Sequence, residues 1–319
     1  MDALVTGSTG FIGRALVAAL VRDGWGVTCL VRPQSDVSKL SGFPVVVRPG
    51  DYHDPASLRL AVAEAEVVFH VGAVLGAEDL ATYERGNVFP TRALAEACLA
   101  SAPRLRKFVY VSSIAAGGPS SPGHLKTECD ESRPVSLYGR SKLEAEAALR
   151  SFLGRLPIVS IRLANVLGIG QRETGAALGL IRRGILPIFG NGEKQTSLCF
   201  VQDAVQALIL AALRSAGQGE FYYVTDGRTY AWREIVEGLA AALPRRRVLR
   251  LRTPALWTLA AFSESWSALS KTRPVLTRQS VLSAWRNYWI FDGRKICREL
   301  GFKPLADFRT EIRRIAVGG

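Results

Sequence analysis

Residues 3–13 read Ala3-Leu4-Val5-Thr6-Gly7-Ser8-Thr9-Gly10-Phe11-Ile12-Gly13. A short apolar run breaks into glycines three apart, and a helical pattern begins at once. This is a strand, a tight turn and a helix N-terminus in succession. Such a turn offers backbone N–H groups at the positive end of a helix dipole, which suits a pyrophosphate. Gly7 lets the chain turn, Gly10 lets the backbone approach phosphate, and Gly13 lets the helix pack closely on the strand. Strand before and helix after make this a dinucleotide site and not an ordinary βα turn. The residues expected against the dinucleotide are Gly7, Thr9, Gly10, Phe11 and Ile12.

Outward from this turn, a helix is expected over 11–22 with Gly24 as its stop signal. The second strand, 27–31, ends at Val31-Arg32. An acidic residue at this place would bind the ribose 2′-hydroxyl of NAD, whereas an arginine suits a 2′-phosphate. Arg32 therefore favours NADP(H), with NAD(H) as the alternative. The third strand, 45–47, leads to Asp51 and Tyr52 at the ligand edge of the sheet, near the adenine. Asp54 before Pro55 is a helix N-cap. The fourth strand, 67–71, ends in Val71, Gly72 and Ala73, small enough for a cofactor to pass over. His70 reads as a packed strand residue. Helices are expected over 80–85 and 91–100, with Asn87 and Pro90 between them, and a fifth strand over 108–111 runs into Ser112-Ser113. Strands alternate with helices and are mostly continuous apolar runs, which predicts a parallel sheet covered on both faces.

Tyr138-Gly139-Arg140-Ser141-Lys142 opens a strongly helical run. A tyrosine and a lysine four apart share one helix face. The ammonium is expected to lower the phenol's proton affinity, so that Tyr138 can exchange a proton with a substrate oxygen while a nicotinamide moves hydride. Ser113 is placed to hold that oxygen. The catalytic set read from the sequence is Ser113, Tyr138 and Lys142, with no metal.

The segments at 6–13, 112–113 and 138–142 together resemble the extended short-chain dehydrogenase/reductase superfamily, the NAD-dependent epimerase/dehydratase family. The resemblance covers nearly the whole chain. It implies a Rossmann-type doubly wound parallel α/β sheet with a smaller, mixed C-terminal substrate-binding region. Residues 1–165 would form the NAD(P)-binding domain, with 194–226 returning to it. Residues 166–193 and 227–319 would bind substrate. Asn87 resembles the family's asparagine in the central helix, although Pro90 departs from the usual small residue nearby. Residues 161–168 resemble the family's R-P-x-N-x-x-G segment, with Leu163 in place of proline. Leu163 is then expected beside the cofactor, and Asn87, Ser113 and Asn165 beside the substrate. Nucleotide-sugar enzymes of the family usually carry an arginine that grips the diphosphate; Thr196 holds that place here, with Lys194 nearby. The closing stretch, 288–304, resembles the superfamily's final strand, helix and L-G-x-x-P. These features lie closer to the hydroxysteroid dehydrogenase and dihydroflavonol reductase branch than to the sugar branch. The implied activity interconverts an alcohol and a ketone on an apolar, steroid-, flavonoid- or lipid-like molecule. A nucleotide-sugar epimerase or dehydratase with tightly held NAD, and a non-catalytic dinucleotide sensor, are the alternatives.

The bulk properties agree with this. The chain has 319 residues, 48% apolar and 22% charged, enough for a large buried core. The net charge of +13 reads as an arginine-rich solvated surface. Zinc-finger spacing and aromatic–basic RNA motifs are missing, which argues against a nucleic-acid partner. Five scattered cysteines without a C-x-x-C pair read as reduced thiols in a cytoplasmic protein. A first strand beginning almost at Met1 leaves no room for a secretory leader. The apolar stripe of Leu256, Leu259, Phe262, Trp266 and Leu269 predicts an amphipathic helix within 254–270. It reads as a lid over the pocket or as a peripheral contact with a membrane's inner face. A small apolar substrate and, for a dimer, a second copy of the chain are the partners expected.

Overall fold

The computed structural model describes residues 1–169, 185–189, 191–242, 247–251, 258, 260, 261, 263 and 288–317. Seven strands form the central sheet: β1 (Asp2–Thr6), β2 (Gly26–Val31), β3 (Val46–Pro49), β4 (Val67–His70), β5 (Lys107–Ser113), β6 (Ile158–Leu163) and β10 (Phe221–Val224). Their order is β10-β6-β5-β4-β1-β2-β3, and the pairs are parallel. The chain winds from β1 outward to β3, then returns to β4 beside β1 and winds the other way. That reversal opens a crevice beyond the C-terminal ends of β1 and β4, where ligands of such sheets bind.

Apolar residues on both faces of the strands explain the layers. Val5, Cys29, Phe69, Val109 and Ile161 meet Leu16, Val17 and Leu20 of helix α1 (Phe11–Arg22) and Ala204, Leu208 and Ala211 of the helix Val201–Leu213. On the other face, Leu4, Val68 and Phe108 meet Leu58, Leu94 and Leu149 from the helices Pro55–Val62, Phe89–Ser101 and Leu137–Arg150. The edge strand β3 is the exception. Its apolar side chains are not core, and Val46 is 56% exposed.

The expected break between 85 and 91 is not a break. Helix Leu80–Tyr83 runs through a π-helical turn, Glu84–Val88, into helix Phe89–Ser101. Pro90 lacks the N–H that would continue the α pattern, and its ring crowds the carbonyl four residues back. The wider turn before it accommodates both defects.

Smaller sheets cap one end. β7 (Asn165–Leu167), β9 (Gln195–Phe200) and β11 (Thr229–Ala231) form one, and β8 (Ile185–Phe189) pairs with β12 (Arg247–Leu251) in the other. Phe200, Tyr230, Val236, Phe308 and Ile312 make a separate core there. The closing stretch ties the parts together, because Tyr288 bridges to Ser120, Trp289 to Thr196 and Phe291 to Lys126. The amphipathic stretch predicted over 254–270 lies outside the described residues, apart from residues 258, 260, 261 and 263.

Candidate active site

The glycine turn has the geometry its spacing predicts. Gly7 has φ +67°, and a Cβ there would lie 2.6 Å from the Cα of Gly72. The β1 turn and the end of β4 therefore touch backbone to backbone. A Cβ on Gly13 would lie 2.1 Å from the carbonyl oxygen of Gly7, which explains the third glycine. Gly10 is the N-cap of α1 and brings no side chain to the first-turn N–H groups, which leaves them as donors to an anion. Thr9, Phe11 and Ile12 are half-buried along the same turn. A cradle of bare backbone at a helix N-terminus fits a dinucleotide pyrophosphate.

Arg32 is exposed immediately after β2, and no ion pair involves it among the described residues. Asp51 is exposed and accepts a hydrogen bond from the His53 N–H at 2.9 Å. Burial pushes the Tyr52 phenol up to about 12, with the Thr6 hydroxyl and Arg32 working against the rise. Val71 and Gly72 are half-buried and Ala73 is exposed along the crevice.

Beneath the crevice runs a directed chain of hydrogen bonds. The Gly72 N–H donates to Thr6 Oγ1 at 3.2 Å. Thr6 Oγ1 lies 2.8 Å from His70 Nδ1, and His70 Nε2 lies 2.9 Å from Thr91 Oγ1. Thr91 donates its hydroxyl proton to the Asn87 carbonyl at 2.6 Å. Thr91 must then accept from His70 Nε2–H, and Thr6 must donate to Nδ1. The ring is thereby held as the neutral Nε2–H tautomer. Burial, with Lys142 nearby, lowers its pKa to about 3.

Asn87 is 2% exposed. Its Oδ1 accepts from the Val74 N–H at 2.7 Å, and its Nδ2 donates to the Val74 carbonyl at 3.3 Å and to Ser141 Oγ at 2.9 Å. Asn87 pins the loop after β4 to the helix bearing Tyr138. The Leu163 side chain, at the end of β6, is buried in the sheet core.

The helix Leu137–Arg150 is N-capped by Ser136, whose hydroxyl accepts from the Gly139 N–H at 3.0 Å. The cap sets Tyr138 in the first turn, and Lys142 follows one turn on. Gly139 is also a contact residue: a Cβ there would sit 2.3 Å from the Ala115 carbonyl oxygen. Its absence lets the helix press against the turn that follows Ser113. Ser113 Oγ accepts from the Ala115 N–H at 3.1 Å and lies close enough to the Tyr138 phenol to act on its proton affinity. Ser113 and Tyr138 are thus brought together.

Lys142 departs from expectation. Its Nζ donates to the Val111 carbonyl at 2.6 Å and lies 4.3 Å from the centre of the Tyr110 ring. Burial lowers its pKa to about 7, opposed by Glu146. The Tyr138 phenol is not lowered. Burial raises it to about 12, with the nearby Ser113 hydroxyl working against the rise. Desolvation outweighs the charge-proximity argument that the spacing alone suggests.

At the far side, Asn165 is exposed and donates from Nδ2 to Thr196 Oγ1 at 2.9 Å. The Lys194 ammonium lies 4.2 Å from the centre of the Tyr288 ring. Three residues missed by the sequence reading form a buried cluster behind the site: Ser112, Glu146 and Arg162. The spacing of Glu146, four residues after Lys142, was the available signal.

A switch-point crevice with a glycine turn, and a Ser/Tyr pair beside a buried lysine, define the short-chain dehydrogenase/reductase class. The chain belongs to the NAD-dependent epimerase/dehydratase family, whose model matches residues 3–224. A ceramide reductase of Caulobacter vibrioides is 33% identical over 275 residues, 85% of this chain and 80% of that protein. A UDP-glucose 4-epimerase of Vibrio cholerae is 31% identical over 255 residues, 76% of each chain. The solved structure of MoeE5 with UDP-glucuronic acid and NAD has a TM-score of 0.76 at 27% identity, covering 98% of this chain and 96% of that one. The protein is therefore an enzyme of an NAD-dependent family in which its relatives are named both reductases and epimerases. Among the described residues no helix is long and apolar enough to cross a membrane.

Proposed function

We propose that this enzyme interconverts a ketone and an alcohol on a fairly apolar molecule, with NADP(H) preferred over NAD(H). Gly7, Thr9, Gly10, Phe11 and Ile12 would hold the pyrophosphate, Arg32 the 2′-phosphate, and Asp51 and Tyr52 the adenine end. Val71, Gly72 and Ala73 would line the path between. When bound, the nicotinamide supplies or accepts the hydride. Ser113 would fix the substrate oxygen, and Tyr138 would give it a proton during reduction. A phenol pushed up to about 12 is fully protonated at neutral pH, which suits a donor. Asn165 would border the substrate.

The observation that carries the choice of substrate class is at Thr196. A buried diphosphate calls for fixed guanidinium partners. In their place stand a hydroxyl already paired with Asn165 and a lysine drawn over Tyr288. The Caulobacter reductase supports the same class. The Vibrio relative favours a second reading, a nucleotide-sugar epimerase that keeps its NAD through many turnovers.

Thermal unfolding and dinucleotide content separate the two without a known substrate. A ligand shifts the melting point according to its concentration over Kd. NADPH should raise it and UDP should not, and protein purified without ligand should carry well below one dinucleotide per chain. Stoichiometric NAD together with a UDP-induced shift would establish the epimerase reading instead.

A further inference from the structure

Glu146 lies one helical turn beyond Lys142 and two beyond Tyr138, so the three share a helix face. It is 4% exposed. Arg162 of β6 grips it with two N–H groups, Nε to Oε1 at 2.9 Å and Nη2 to Oε2 at 2.6 Å. The Ser112 hydroxyl donates to Oε1 at 2.5 Å. The guanidinium is itself held by the hydroxyls of Ser132 and Tyr223, each at 2.9 Å, and lies 3.8 Å from the centre of the Phe221 ring. A carboxylate bound on three sides keeps its place.

Lys142 is 2% exposed, and its two direct contacts, the Val111 carbonyl and the Tyr110 ring, carry no full charge. The titratable groups around it are His70 from β4, Tyr110 from β5, Tyr138 and Glu146 from its own helix, and Arg162 from β6 through Glu146. His70 is held neutral, and burial keeps the phenols of Tyr110 and Tyr138 protonated. Glu146, although paired with Arg162, is then the one carboxylate on the helix face that carries Lys142.

We propose that Glu146, clamped by Arg162 and Ser112, is a positioning residue that raises the proton affinity of the buried Lys142 amine and so sets the alkaline limit of the site. An ammonium stripped of water needs such a partner, because desolvation alone favours the neutral amine. Ser112 and Ser113, adjacent on β5, then divide the work: one secures the carboxylate behind the helix, the other faces the substrate. The consequence for turnover rests on the Ser113/Tyr138/Lys142 assignment. The charge state itself can be read without turnover.

The experiment is a pH titration of the full chain labelled with 13Cε-lysine and followed by NMR, with the Lys142 signal assigned by its loss in Lys142→Met. In Glu146→Gln the Lys142 midpoint should fall by about one pH unit or more, a tenfold loss of proton affinity. Should that variant fold poorly, the double variant Glu146→Leu/Arg162→Met removes the pair without leaving a buried charge. The midpoint should fall there too. A Lys142 midpoint unchanged from wild type in either folded variant would overturn the proposal and make Glu146 a purely structural partner of Arg162. A shifted midpoint in a protein that turns over no ketone would leave this inference standing and the functional reading refuted.

Discussion

In the proposed reaction Tyr138 would carry the proton, and its environment decides the direction in which it is ready to act. With the phenol raised to about 12, it starts as an acid. Tyr138→Phe should lower turnover at least ~100-fold while NADPH affinity, followed by fluorescence titration, stays nearly unchanged. Retained turnover would remove Tyr138 from the chemistry. Arg32→Ala should raise the dissociation constant for NADPH far more than for NADH, because in the proposed site the guanidinium would meet only the 2′-phosphate; equal losses would show that Arg32 does not read it. His70 adds a pH dependence to stability. Its folded pKa of about 3 lies below the ordinary 6.5, so the unfolded chain binds the extra proton first as pH falls. The stability this neutral ring contributes is complete above about pH 6.5 and is lost progressively toward pH 3. The melting point of His70→Leu should start lower at neutral pH and fall less steeply over that window. An unchanged slope would show that His70 is not the titrating group. The spacing of Tyr138 and Lys142 was legible because a helix repeats every 3.6 residues. The burial of Asn87 was not, because its partners Val74 and Ser141 lie 13 and 54 residues away in the chain. The rise of the Tyr138 phenol was equally hidden, since desolvation belongs to the packed state.

The helix Leu137–Arg150 carries the proposed reactive side chains Tyr138 and Lys142, and its seating depends on one missing methyl group. A Cβ at Gly139 would sit 2.3 Å from the Ala115 carbonyl oxygen, so Gly139→Ala must push the helix off the turn that follows Ser113. The expected cost is about 1–3 kcal/mol of stability, with turnover falling more than cofactor affinity because Tyr138 and Ser113 separate. A melting curve and a NADPH titration check this, and wild-type stability would show that the contact is slack. Most elements were readable from apolar runs and caps, including α1 over 11–22 and the Asp54 cap, which accepts from the Ala56 N–H at 3.0 Å. The continuity through 84–88 was not readable. Proline usually marks a boundary, and only the packed helix reveals that a π turn absorbs it. The exposed β3 was missed for a related reason: three valines in a row look the same at a sheet edge as at its centre.

Across the whole molecule, the doubly wound order brings the glycine turn of β1, the end of β4, the Ser112-Ser113 end of β5 and the exposed Asn165 beyond β6 to one rim of the sheet. Alternating strands and helices made that arrangement predictable, since parallel strands need right-handed crossovers. The bridges from Tyr288, Trp289 and Phe291 back to Ser120, Thr196 and Lys126 were beyond the sequence, because they join segments over 90 residues apart. Thr196 stands at this junction, where a diphosphate grip would be expected of a sugar enzyme. The central claim is therefore one of substrate class, and a single assay addresses it most directly: NADPH oxidation followed by absorbance, against a panel of long-chain and polycyclic ketones and a panel of UDP- and TDP-linked sugars. The account predicts steady NADPH consumption with an apolar ketone and no conversion of any nucleotide sugar. Interconversion of a nucleotide sugar with no net cofactor change, and no turnover of the ketones, would contradict it.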